Sequence, residues 1–170
     1  MKIEMRAWLL TMLFAGTAAL AQAPATGAPA AKISDDQLLS YLPKDGVPQG
    51  TVPWLTFRQV KLVEQKKDGK TTLLPEFAKV LRDLDRKIVT LYGFVLPLST
   101  TTKQKHFLLS PLPTHCPFCV SQGPDSLIEV MARVPVEFSA YDPVVVTGKL
   151  ELINDSSIFY RLVEAEPVKP

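Results

Sequence analysis

Cysteine is nearly missing from this chain of 170 residues, which carries only Cys116 and Cys119. Two cysteines three positions apart exclude a disulfide-stapled miniprotein, because such scaffolds need cross-links between distant parts of the chain. Glycine is also sparse, at 8 residues, and no phosphate-binding loop is present. Gly69-Lys70-Thr71 mimics the end of one, but Glu64 stands where its first glycine is required. Gly-x-Ser-x-Gly and His-Glu-x-x-His are absent, which removes the commonest hydrolase signatures. Histidine is limited to His106 and His115. No sign of charge dominates: 19 Lys+Arg against 17 Asp+Glu give a net charge of +2, with the basic residues dispersed. That balance carries no electrostatic footprint for a nucleic-acid partner. Asp83, Asp85 and Arg86 close a short helical pattern and read as a solvated turn.

Proline, by contrast, is abundant. The 15 prolines are roughly twice the share expected from a typical usage of about 5%. After residue 23 the longest proline-free stretches are 54–74, 76–96 and 144–166, which excludes a bundle of long helices.

The first residues read as an export signal. Lys2 and Arg6 precede an apolar run over 7–20, and Ala19-Leu20-Ala21 supplies the small residues that a signal peptidase accepts. The run is 14 residues long, short of the roughly 20 that a membrane span needs. Pro24 disfavours a cut after Ala23, so cleavage is expected after Ala21, leaving no stable membrane span. Removing 1–21 deletes Lys2, Arg6 and Glu4 and leaves 17 basic and 16 acidic residues. The expected location is the periplasm, an oxidising compartment.

Residues 22–33 form an Ala/Pro/Gly/Thr-rich flexible linker, and 34–170 read as a single globular domain. Within it, 34–86 form a helix and hairpin lead-in, and 87–166 a β-barrel-like core. Ser34-Asp35-Asp36-Gln37 is a capping box that opens a first helix, stopped by Pro43. Residues 54–64 look extended, and Lys67-Asp68-Gly69-Lys70 predicts a hairpin turn. Pro75 is expected to open a second helix, with Phe77, Val80, Leu81 and Leu84 on its buried face. From 88 onward the period is two. Residues 88–96 form an apolar strand in which Gly93 marks a bend, and 106–110 form another. Ile128, Val130, Ala132 and Val134 alternate with polar partners; so do Val144, Val146, Gly148, Leu150 and Leu152; and Ile158, Tyr160 and Leu162 return. The fold class is mainly β with two short helices (α+β), in the form of a five-stranded barrel like the oligonucleotide/oligosaccharide-binding fold. A small β-sandwich is the alternative.

One constellation carries chemistry. His115-Cys116-Pro117-Phe118-Cys119 follows Pro111-Leu112-Pro113 directly after a strand, and Gly123-Pro124 closes the loop. Cysteines at i and i+3 in a turn aim both sulfurs into one small volume, which suits a metal clip, a reversible disulfide or an inert bridge. Thiolates suit zinc or copper(I); His115 adds a third ligand, and His106 on the preceding strand a fourth. The second Cys-x-x-Cys of a structural zinc site is absent, and an incomplete shell suits a carrier. Cys-Pro-Phe-Cys also looks like a glutaredoxin site. Thioredoxin-type catalysis, however, needs a helix starting at the first cysteine, and Gly123-Pro124 interrupts the chain four residues after Cys119. A structural disulfide closing so short a loop contributes only about 2 kcal/mol before strain.

Three further segments carry a resemblance: 87–98 (Lys-Ile-Val-Thr-Leu-Tyr-Gly-Phe-Val-Leu-Pro-Leu), Phe107-Leu108-Leu109-Ser110-Pro111 leading into Cys116, and Val145-Val146-Thr147-Gly148-Lys149-Leu150. With Trp54 and the signal peptide, they resemble the secreted bacterial family called domain of unknown function 3299, over about 54–163. The resemblance implies export and a role in metal handling beside an envelope ABC transporter component; it implies no mechanism. The family pattern often places a histidine two positions after the matching cysteine. Here that position is Phe118, with Cys119 beyond it.

Overall fold

The lead-in follows the sequence reading in some places and departs from it in others. The computed structural model describes residues 34–40, 46–67, 69–113, 123–139, 142–154 and 158–168; the signal peptide, the linker and Pro43 lie outside them. Helix α1 (Asp35–Ser40) starts behind Ser34, whose carbonyl accepts the Leu38 amide at 2.9 Å. Leu38 is buried, and Arg58 clamps the helix through Asp35 at 2.5 Å. The extended reading of 54–64 is corrected in its first half. Residues Trp54–Phe57 form a one-turn helix, α2, behind Pro53, where a fixed φ and a missing amide cost nothing. Trp54 and Phe57 lie on one side of that turn, and both are buried.

Strands β1 (Val60–Lys67) and β2 (Lys70–Phe77) then form the predicted hairpin, closed by the pair Lys67 and Lys70, with Gly69 at φ 73°. The second correction concerns Pro75, which opens no helix. It lies within β2 opposite Leu62, and helix α3 (Lys79–Leu84) begins only behind Ala78. A two-stranded ribbon consists entirely of edge strands, so a proline lacking its amide is tolerated there. Phe77 is buried from the strand instead, packing on Phe159 and Tyr160 with ring centroids 6.5 and 5.9 Å away.

Five strands close the barrel: β3 (Ile88–Pro97), β4 (Lys103–Ser110), β5 (Ile128–Glu137), β6 (Val144–Leu152) and β7 (Tyr160–Pro167). Their order around it is β3-β4-β5-β7-β6, with β5 and β7 parallel and every other pair antiparallel. The barrel expectation therefore holds, and the sandwich alternative does not. Closure depends on β3 serving two partners. Its first part, through Gly93, pairs with β6, and from Phe94 onward it pairs with β4. Gly93 sits at the changeover, where an added Cβ would lie 2.6 Å from the Ser110 carbonyl oxygen. The bend predicted at this residue is a close approach that only glycine permits.

The interior holds Leu91, Val95, Phe107, Leu109, Ile128, Val130, Val146, Leu150, Tyr160 and Leu162, all essentially inaccessible. The alternation read for β5 holds as far as Ala132, which packs against the core. Gln104 faces Val136 and His106 faces Met131, so β5 spends five residues where β4 spends two. The extra residues of such a bulge drop out of the ladder locally. Val134, expected inside, is exposed, and Val136 is buried in its place.

Candidate functional site at the cysteine loop

Strand β4 delivers the chain to the loop through a buried turn. Ser110 is fully buried; its hydroxyl accepts the Leu112 amide at 3.0 Å and donates to the Leu112 carbonyl at 2.9 Å. Pro111, Leu112 and Pro113 are buried as well. The prolines fix φ, so this departure has little backbone freedom. The chain is described again from Gly123, where Pro124–Ser126 form a 3-10 turn held by the Ser126 amide on the Gly123 carbonyl at 2.9 Å. Asp125 and Ser126 are both 6% exposed, and Leu127 leads into β5. The loop thus leaves and re-enters the barrel at buried, hydrogen-bonded anchors. Residues 114–122, which include His115, Cys116 and Cys119, lie between them and outside the described residues.

The barrel end near the loop's two anchors is aromatic. Tyr160 donates its hydroxyl to the Phe57 carbonyl at 2.5 Å, and its ring meets the Phe57 ring edge-on with centroids 5.0 Å apart. Burial raises the Tyr160 pKa, and the negative charge of Asp125 raises it further. The phenol therefore stays protonated, as its donor role demands. Trp54 donates Nε1–H to the Tyr92 carbonyl at 2.6 Å and packs against Phe57, fixing α2 over the same end.

His106 occupies a different setting. Its side chain is half exposed on the outer face of β4, with Nε2 2.9 Å from Glu129 Oε1 on β5. Since a carboxylate only accepts, Nε2 carries the proton. The other Glu129 oxygen takes the Arg161 Nε–H from β7 at 2.6 Å. Burial acts to raise the Glu129 pKa, but the hydrogen bonds from Arg161 and His106 outweigh it, and the carboxyl is held below its ordinary range. From His106 to Leu109, the last buried residue before the Ser110 turn, is three residues, or about 10 Å at ~3.4 Å per residue. Among the described residues, no three His, Cys, Asp or Glu side chains stand together as a metal site. The sequence reading missed the link from Glu129 to Arg161. Alternation puts Glu129 on the outer face, but only the parallel register of β5 and β7 makes Arg161 its neighbour.

A small closed barrel with a cysteine-bearing loop between its second and third strands is the class that this geometry defines. The chain belongs to the family described as Protein of unknown function (DUF3299), whose model matches residues 30–162, in agreement with the resemblance seen in the sequence. A crystal structure of a DUF3299 family protein from Pseudomonas aeruginosa PAO1 is similar at 23% identity, over 56% of this chain and 68% of that one, with a TM-score of 0.44. No curated protein matches the chain.

Proposed function

We propose that this protein is a periplasmic accessory protein that binds zinc or copper(I) through Cys116 and Cys119 and passes it to an envelope transporter component. The observation that carries this reading is the double anchoring of the loop. The sequence 114–122 connects the buried turn at 110–113 to Gly123 and the buried pair Asp125 and Ser126. Fixed ends lower the entropic cost of bringing two thiolates to one point. Soft thiolates select soft or borderline metals, and His115 beside Cys116 offers an imidazole as third ligand. His106 can join through Nδ1 while Glu129 holds its Nε2–H, the arrangement in which a carboxylate orients a ligating imidazole. Export by the signal peptide 1–21 would place the site in the envelope.

The test uses purified protein, reduced and loaded with micromolar zinc or copper(I) in separate arms, with bound metal and free thiols counted. Stoichiometric metal that is lost in Cys116→Ser and Cys119→Ser supports the reading, and weakened binding in His106→Ala adds the fourth ligand. Sub-stoichiometric metal in both arms overturns it. If the same protein instead shows a cysteine pair poised near the potential of the periplasm, with disulfide-reductase activity, a thiol–disulfide role takes its place.

A further inference from the structure

The hairpin base, the two residues after α2 and helix α3 meet around a concavity of about 510 Å3 at some distance in sequence from the cysteine loop. Arg58, Lys61, Lys79 and Arg82 line it, and Glu76 is the one carboxylate among its described lining residues. Its walls are fixed by the hairpin register, Val60 opposite Phe77, and by the Ala78 amide on the Gln59 carbonyl at 3.0 Å. Two of the cations are committed elsewhere, Arg58 to Asp35 and Lys79 to Asp83. The other two are not. Arg82 gives Nη1 to the Phe77 carbonyl, which orients the guanidinium and leaves its remaining N–H groups without an acceptor among the described residues. Lys61 lies directly across the ribbon from Glu76 in register, yet no ion pair joins them.

With Arg58 and Lys79 already paired, Lys61 and Arg82 are the cations left to meet an entering anion, and an oriented guanidinium matches the oxygens of a tetrahedral oxyanion. We propose that this pocket binds a phosphate-bearing ligand, with Arg82 and Lys61 as its principal contacts. The volume has room for a phosphate together with the group that carries it. Two sources share this chemistry, a soluble phosphomonoester and an anionic lipid headgroup.

The experiment titrates the purified protein with inorganic phosphate and with glycerol phosphate by calorimetry. In parallel, flotation compares vesicles of phosphatidylglycerol with vesicles of phosphatidylcholine. Arg82→Gln and Lys61→Gln should each weaken binding about tenfold, the loss expected for one charge-assisted hydrogen bond. Glu76→Gln should tighten it, added salt should weaken it, and Lys66→Gln on the outer hairpin should leave it unchanged. Arg82→Gln also removes the contact to the Phe77 carbonyl, so its thermal melt is measured beside it. Among the described residues Lys61 and Glu76 make no side-chain hydrogen bond or ion pair, so Lys61→Gln and Glu76→Gln test the pocket with little effect on stability. Saturation by the soluble phosphates alone identifies a phosphomonoester, and flotation with phosphatidylglycerol alone identifies a headgroup. No binding to either at millimolar ligand overturns the proposal; so does wild-type affinity in both Lys61→Gln and Arg82→Gln.

Discussion

Gly93→Ala should be among the more costly single-methyl changes in the barrel. The added Cβ would lie 2.6 Å from the Ser110 carbonyl oxygen, 3.1 Å from Leu109 Cγ and 3.1 Å from Trp54 Cζ2. The two side chains can give way by a few tenths of an ångström. The carbonyl cannot, because it belongs to β4 at the point where Phe94 pairs with Ser110 and the closed barrel leaves no free edge to shift. Overpacking of this kind costs about 1–3 kcal/mol, and a backbone obstacle places it near the top of that span. The smaller conformational freedom of alanine in the unfolded chain returns about 0.5–1 kcal/mol. The net expectation is a loss of about 2 kcal/mol, or a Tm lower by about 8 °C for a domain of this size. Urea unfolding, followed by far-UV circular dichroism, measures it. Trp54→Phe in the same background is the control, since it trims the 3.1 Å neighbour and leaves the 2.6 Å one. The reasoning fails if Gly93→Ala costs less than about 0.5 kcal/mol, the usual size of a neutral surface change. It fails equally if Trp54→Phe restores most of the loss, because the obstacle would then be the indole.

Two further outcomes follow from the hydrogen-bonded groups. The folded pKa of Glu129 lies below its ordinary 4.5, so its stabilisation is fully present above that value and is lost as pH falls through the folded pKa. Glu129→Gln should therefore cost about 1–2 kcal/mol at neutral pH, after allowance for the exposed His106, and melts of the two proteins should converge in acid. A gap that persists unchanged in acid would show that packing, and not charge, holds this trio. Tyr160 behaves in the opposite sense. Its folded pKa is raised above 10.0, by burial first and by Asp125 second, so its contribution is complete below pH 10 and fades in stronger alkali. Tyr160→Phe should lose about 1–2 kcal/mol with the bond to the Phe57 carbonyl, and it should flatten the alkaline decline seen in pH-dependent melts. An equal alkaline decline in both proteins would assign that decline to another group.

Several parts of this molecule were readable locally. Asp68-Gly69 specifies a two-residue turn whatever surrounds it, and the hairpin register follows. The alternation over 144–152 specifies which side of β6 faces inward, and Val146 and Leu150 are indeed buried. Other features were not local. Pro75 suits the first turn of a helix as well as an edge strand, and the choice depended on β1 lying beside it. Residues 54–57 were read as extended because a one-turn helix has no period to detect. Val134 is exposed at a β5 bulge that depends on the register of β4.

The candidate sites divide along the same line. His106 could be named from sequence, but its neighbours Glu129 and Arg161 come from strands 23 and 55 positions further on. The basic concavity needs the residues after α2, the hairpin base and α3 to converge.

By itself, then, the sequence determined the strand period, the turns and the residue types in the cysteine loop, because these rest on neighbours within a few positions. Only the tertiary structure decided barrel closure, the exposure of Val134 at the β5 bulge and which charges meet. Those outcomes depend on register between strands, and a strand carries no local record of the partner opposite it.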